Sequence, residues 1–128
     1  MQRCLADNAL VPALAPTFIY DNGACMKFKG YDFAQRRLTC HLSKYYREHG
    51  ADGYILLFDF SKFYDNVDHD LLLQTLCKQF TDQRILSMVE QIIGTFGSTV
   101  GLGLGSQISQ ILALLSANVM PRAAQPSW

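Results

Sequence analysis

The residues best suited to chemistry lie in one stretch, Gly53-Tyr-Ile-Leu-Leu-Phe-Asp59-Phe-Ser-Lys-Phe-Tyr64-Asp65-Asn-Val-Asp68-His69-Asp70-Leu71. An apolar run leads straight into Asp59. An ionised carboxylate there is costly unless something pairs with it, and a divalent metal is a natural partner. Mg²⁺ held by one or two carboxylate oxygens keeps waters and substrate phosphates as its other ligands. Two such ions can activate a hydroxyl and stabilise a leaving pyrophosphate. That chemistry requires a second carboxylate on a neighbouring strand. The plainer role for Asp59 is to close a strand and cap the next turn. Tyr64 also has two readings, as an aromatic packed beneath a sugar ring or as a core side chain. Asp65, Asp68 and Asp70 lack the alternating oxygens, central Gly and closing Glu of an EF-hand, so they read as turn and cap residues.

A second candidate is the loop Val100-Gly101-Leu102-Gly103-Leu104-Gly105-Ser106-Gln107-Ile108-Ser109. It has neither the G-K-[ST] of a P-loop nor the G-x-G-x-x-G spacing of a dinucleotide fold. Its glycines would let a backbone approach a nucleotide closely, and the helix that follows would favour a phosphate at its N-terminus. A flexible connector reads the same way. A third candidate is basic. Six cations (Lys27, Lys29, Arg36, Arg37, Lys44, Arg47) and one intervening acid, Asp32, lie between residues 27 and 47. They form either a phosphate-contacting surface or an ordinary solvated helix face. His41, His49 and His69 share no ligand-like spacing with one another or with the cysteines.

These candidates need a scaffold to position them. The chain has 128 residues, nearly half of them apolar, which suits one small domain or part of a larger one. The formal charge of zero excludes a uniformly basic surface. The four widely spaced cysteines read as free thiols. No signal pattern opens the chain, and no apolar run reaches the roughly 20 residues of a membrane span, so a cytoplasmic protein is expected. Residues 1–16, interrupted by Pro12 and Pro16, read as an irregular lead-in. Thr17–Tyr20 and Cys25–Phe28 are short β-prone pieces. Asp32 can cap a helix over Phe33–His49, with Ala34, Leu38, Leu42 and Tyr45 as its buried stripe and Gly50 as its stop. Tyr54–Phe60 reads as an interior strand covered on both faces. A helix from His69 to about Phe80 follows Asp68, with Leu72, Leu73 and Leu76 inward. Thr81-Asp82 opens another, with Ile85, Met88, Val89 and Ile92 as its apolar face. Ser106 or Ser109 caps a last helix carrying Ile108, Ile111, Leu112 and Leu115. The expected class is α+β with one central strand.

The order of these signals adds to each of them. Phe58-Asp59 through Leu72 resembles the first catalytic motif of bacterial reverse transcriptases, the group that includes retron and group II intron enzymes. Gly101–Gln110 is similar to the next motif, the glycine loop and helix that contact template and incoming nucleotide. The likeness covers roughly residues 17–118. It implies a partial fingers (17–52) and palm (53–119) of an RNA-directed DNA polymerase using Mg²⁺, RNA template, DNA primer and dNTP, with a non-family tail at 120–128. It implies Asp59 and the Phe60 carbonyl as metal ligands, Tyr64 as the steric gate against a ribose 2′-hydroxyl, and Gly105, Ser106 and Gln107 as nucleotide and template contacts. Gly103 stands where many relatives carry Pro. The family's aromatic-x-Asp-Asp motif is missing, since no Asp or Glu follows Glu90. A truncated or frame-disrupted chain, catalytically incomplete alone, is therefore expected. A non-catalytic RNA-binding module using residues 27–47 is the alternative.

Overall fold

The computed structural model describes residues 2–97 and 99–118, so the expected tail at 120–128 lies outside the described residues. The chain divides into two units, one of Met1–Ile19 with Lys62–Trp128 and one of Tyr20–Ser61. The expected α+β class does not hold. Helices dominate, and no sheet forms among the described residues. The nearest thing to a ladder is an isolated antiparallel bridge between Asp68 and Val100.

The first unit opens with helix where the two prolines predict irregular chain. Helix α1 (Gln2–Leu5) runs into a π-helical turn (Ala6–Leu10), then α2 (Val11–Leu14) and a 3₁₀ turn (Ala15–Thr17). Pro12 and Pro16 fall at early positions of α2 and of the 3₁₀ turn, where a missing N–H costs little. The wide turn is closed by the Val11 N–H donating to the Ala6 carbonyl. This winding sets Ala6, Leu10 and Leu14 on one side, all fully buried.

Three longer helices complete this core. Helix α4 is here His69–Cys77, the numeral α3 belonging to Tyr31–His49 of the second unit; α5 is Gln83–Gly94 and α6 is Gln107–Ala117. Each of α4, α5 and α6 starts at a side-chain cap. Asp68 accepts from the Leu71 N–H at 2.9 Å, Asp82 from the Arg84 N–H at 2.9 Å, and Ser106 from the Ser109 N–H at 3.5 Å. Leu72 and Leu76 point inward as the spacing predicts. On α5 the innermost side chains are Leu86, Val89 and Ile93, with Ile85 and Ile92 half-buried and Met88 exposed, so the inner face is rotated from the predicted one. Helix α6 is the centre of the core. Ile108, Ile111, Leu112, Ala113 and Leu115 are all buried, the pattern of a helix covered nearly all round. Ser109 is buried among them, and its Oγ has no hydrogen-bond partner among the described residues.

In the second unit α3 forms over nearly the predicted span and stops at Gly50, but it begins at Tyr31 with Gly30 as its cap, leaving Asp32 inside the first turn. Its expected buried stripe does not exist. No residue of α3 is buried, and Leu38, Leu42 and Tyr45 are exposed. Local contacts hold it instead. The Phe33 ring meets Tyr20 edge-on at 5.8 Å, and the Tyr45 hydroxyl donates to the Asp52 carbonyl at 2.9 Å.

The predicted central strand is the largest correction. Residues 52–60 form no regular secondary structure, and Leu57 is 90% exposed. An interior strand exists only where neighbouring strands take its amides and carbonyls and other layers cover its faces. No strand among the described residues offers either. The stretch keeps the composition of a strand without the pairing that makes one.

The side chain of Leu14 is fully buried and that of Leu57 is not, so truncation should separate them. Urea unfolding of Leu14→Ala is expected to lose about 2–5 kcal/mol. Leu57→Ala should change stability by less than about 0.5 kcal/mol. Equal losses would contradict this division of the chain into core and exposed segment.

Candidate functional site

The two motif regions divide between the units. Asp59 and Phe60 lie in the second unit, and Tyr64 with Gly101–Gln107 lies in the first.

In the first unit the turn that carries Tyr64 and the glycine loop are knitted together. Tyr64–Asn66 is a 3₁₀ turn. The Leu102 N–H donates to the Tyr64 carbonyl at 2.8 Å, the Gly101 N–H to the Val67 carbonyl at 2.9 Å, and the His69 N–H to the Thr99 carbonyl at 3.0 Å. The buried His69 ring adds a fourth tie, its Nε2–H donating to the Gly101 carbonyl at 2.7 Å. That bond fixes which nitrogen carries the proton. Val67 and Leu102 are buried on either side and anchor the join in the core. Gly101 has φ of +99°, a conformation an L side chain would strain. At Gly103 a Cβ would stand 2.3 Å from the Phe96 ring, so a side chain there would require that ring to move aside. The loop is therefore a packed element and not a slack connector.

Tyr64 is half-buried, packs against the core and meets Phe63 edge-on at 6.0 Å. Beyond the loop, Gly105 is exposed, with φ of +87°. Ser106 caps α6, and its hydroxyl also reaches the Gln2 side-chain carbonyl at 3.3 Å. The Gln107 amide donates to Asp7 Oδ1 at 2.7 Å. Sequence reasoning missed the partnership of His69, Gln2 and Asp7 with these residues. Spacing offers no signal for it, because the partners lie 32, 104 and 100 residues away.

Asp59 is exposed, and Phe60 beside it is about half exposed. Among the described residues no group of three or more His, Cys, Asp or Glu side chains gathers in a way that could hold a metal. Asp59 and the Phe60 carbonyl could hold one Mg²⁺ only with waters and substrate phosphates as its other ligands, and two-metal chemistry would need further carboxylates.

The six predicted cations do not act alike. Arg37 donates to Asp21 and Lys29 to the Tyr20 carbonyl. The Lys29 ammonium also stands over the Tyr20 and Phe33 rings, at 4.6 and 4.8 Å. His41 shares Asp21 with Arg37. These contacts tie the loop at residues 20–29 to α3. Lys27, Arg36, Lys44 and Arg47 are exposed, with Lys27 over the Phe28 ring at 5.1 Å and Arg47 bonded to the Ser43 carbonyl of its own helix. The hydrogen bond from Arg37 holds the Asp21 carboxyl below its ordinary value, His41 lowers it further, and partial burial opposes both.

His69→Ala removes a buried donor and strands the Gly101 carbonyl. A loss of about 1–3 kcal/mol in urea unfolding is expected, with faster amide exchange at Gly101 and Leu102. An unchanged exchange rate there would show that the backbone bonds hold the loop without the ring. In the second unit the sign follows from the depressed carboxyl of Asp21. The Asp21 tie is present above the ordinary carboxylate value of about 3.9 and is lost as pH falls through the lower folded value. Amide exchange in α3, corrected for intrinsic rates, should therefore accelerate between pH 5 and pH 3 by a factor of about two to five more in wild type than in Asp21→Asn, as befits a half-exposed pair. Identical profiles would remove Asp21 from that role.

The chain matches no protein-family model, no curated protein and no solved structure.

Proposed function

We propose, from its two sequence motifs, that this chain is a fragment of an RNA-directed DNA polymerase of the bacterial reverse-transcriptase kind. In this reading Tyr64 and Gly105–Gln107 receive the incoming dNTP and the template base, and the exposed cations of α3 meet the template backbone. The observation that carries it is the join between residues 64–69 and 99–102, in which the Leu102 N–H donates to the Tyr64 carbonyl. Two motifs separated by some 40 residues of sequence, read as sugar-contacting and nucleotide-contacting, are thereby hydrogen-bonded to each other within one unit. Asp59 is kept as the carboxylate of the first motif. Because the aromatic-x-Asp-Asp motif is missing and no Asp or Glu follows Glu90, nucleotidyl transfer is not expected from this chain alone.

The alternative, a non-catalytic RNA-binding module built on residues 27–47, draws support from the exposure of Lys27, Arg36, Lys44 and Arg47. The commitment of Arg37 and Lys29 to contacts within their own unit weakens it.

Binding of a labelled RNA template–DNA primer hybrid, measured by fluorescence anisotropy with dNTP and Mg²⁺ present, separates the two. The polymerase reading expects binding that Tyr64→Ala and Gln107→Ala each weaken, with no extension of the primer. Binding that collapses with salt and with Arg36→Ala, Lys44→Ala and Arg47→Ala, yet ignores Tyr64 and Gln107, would favour the module. Tight binding of a free nucleotide without any template would refute both, and robust primer extension would refute the claim that the chain is catalytically incomplete.

A further inference from the structure

We propose that the N-terminal helical segment masks the nucleotide and template site, with Gln2 and Asp7 occupying the polar groups of Ser106 and Gln107. This inference rests on the polymerase reading of that site. The two side chains read as nucleotide and template contacts both spend a polar group on partners about 100 residues away in sequence. The Ser106 hydroxyl is 3.3 Å from Gln2 Oε1, and the Gln107 amide donates to Asp7 Oδ1 at 2.7 Å. Both partners come from the same short segment, and that segment is seated firmly. Ala6, Leu10 and Leu14 are fully buried in the core of the unit that contains α6. The mask is thus held in place by apolar burial and touches the site through polar groups at its rim.

Its charge has the wrong sign for the proposed ligand. Asp7 presents a carboxylate to the first residue of α6, where the helix dipole would otherwise favour a phosphate. A nucleic acid or triphosphate arriving there must displace the carboxylate from the Gln107 amide and approach against its charge. Arg3, 3.4 Å from the other Asp7 oxygen, offsets that charge weakly, because its side chain is 87% exposed. Gln2 and Asp7 are both exposed, so their replacement leaves the buried face of the segment intact.

The test is the affinity of the same labelled template–primer hybrid for wild type, Asp7→Ala, Asp7→Asn, Gln2→Ala and the double variant Asp7→Ala with Gln107→Ala, all at one salt concentration. Asp70→Ala, an exposed acid in the first turn of α4, controls for a general change in charge. Loss of one hydrogen bond to the mask should tighten binding by about two- to tenfold in Asp7→Ala. A smaller gain is expected in Gln2→Ala. Asp7→Asn keeps an acceptor for Gln107 and removes the charge, so it should fall between wild type and Asp7→Ala. The gain should vanish in the double variant and be absent in Asp70→Ala. Wild-type affinity in both Asp7→Ala and Asp7→Asn, while Gln107→Ala still weakens binding, would overturn the mask and leave the polymerase reading standing. An equal gain in Asp70→Ala would likewise overturn the mask, as a nonspecific charge effect. Binding by none of these proteins, wild type included, would sink the polymerase reading and the mask with it. Circular dichroism melts confirm that each variant is folded, and Asp7→Asn and Gln2→Ala carry the test if Asp7→Ala is not.

Discussion

The His69 ring, buried in the first turn of α4, donates to the carbonyl of Gly101 and so ties the start of one helix to the loop that launches another. Three backbone hydrogen bonds run alongside it. Together they make a small patch of ladder where no sheet exists, and they settle what the glycines between Gly101 and Gly105 can do. A loop of this composition could wander. Here its first carbonyl is claimed by a buried ring, Leu102 is sunk in the core, and Gly103 is covered by Phe96. The exposed remainder, Leu104–Gly105, is short, and it ends at the Ser106 cap. The place of Tyr64 follows from the same join, because its carbonyl is one of the acceptors.

Local features of the sequence were readable where local rules govern. The caps at Asp68, Asp82 and Ser106 and the stop of α3 at Gly50 need only neighbours within a turn or two, and the structure places them where the residue types predict. Features that depend on distant partners were not readable in the same way. Pro12 and Pro16 suggest broken chain, yet each falls at the start of a helical turn, where proline is harmless, and Leu10 and Leu14 supply the burial that keeps the segment helical. The apolar spacing along α3 predicts a buried stripe, but spacing states what a helix could cover and not whether anything covers it. The run at Tyr54–Phe60 failed as a strand for the same reason. Strand propensity describes a surface that suits a sheet, and the sheet has to come from elsewhere in the chain.

For the candidate site, the residues could be named from the sequence but their grouping could not. Tyr64 and Gly101–Gln107 fall in one unit and Asp59 in the other. Among the described residues Asp59 belongs to no group of three or more His, Cys, Asp or Glu side chains that could hold a metal. The basic segment was readable as composition but not as electrostatics. A cation count treats Arg37 like Arg36, while the structure couples Arg37 to Asp21 and leaves Arg36 exposed. The N-terminal partners of Ser106 and Gln107 had no counterpart in any local pattern.

The exposed run Ile55-Leu56-Leu57-Phe58 bears on the life of the molecule in a cell. Several consecutive exposed apolar side chains outside regular secondary structure, with no charge between Asp52 and Asp59, are what holdase chaperones and quality-control proteases bind in unfolded proteins. This chain displays that signal while the core of its other unit is fully formed. Its abundance would then depend on surveillance of this one segment more than on the free energy of unfolding of the core, and cellular half-life and thermodynamic stability would be set by different residues.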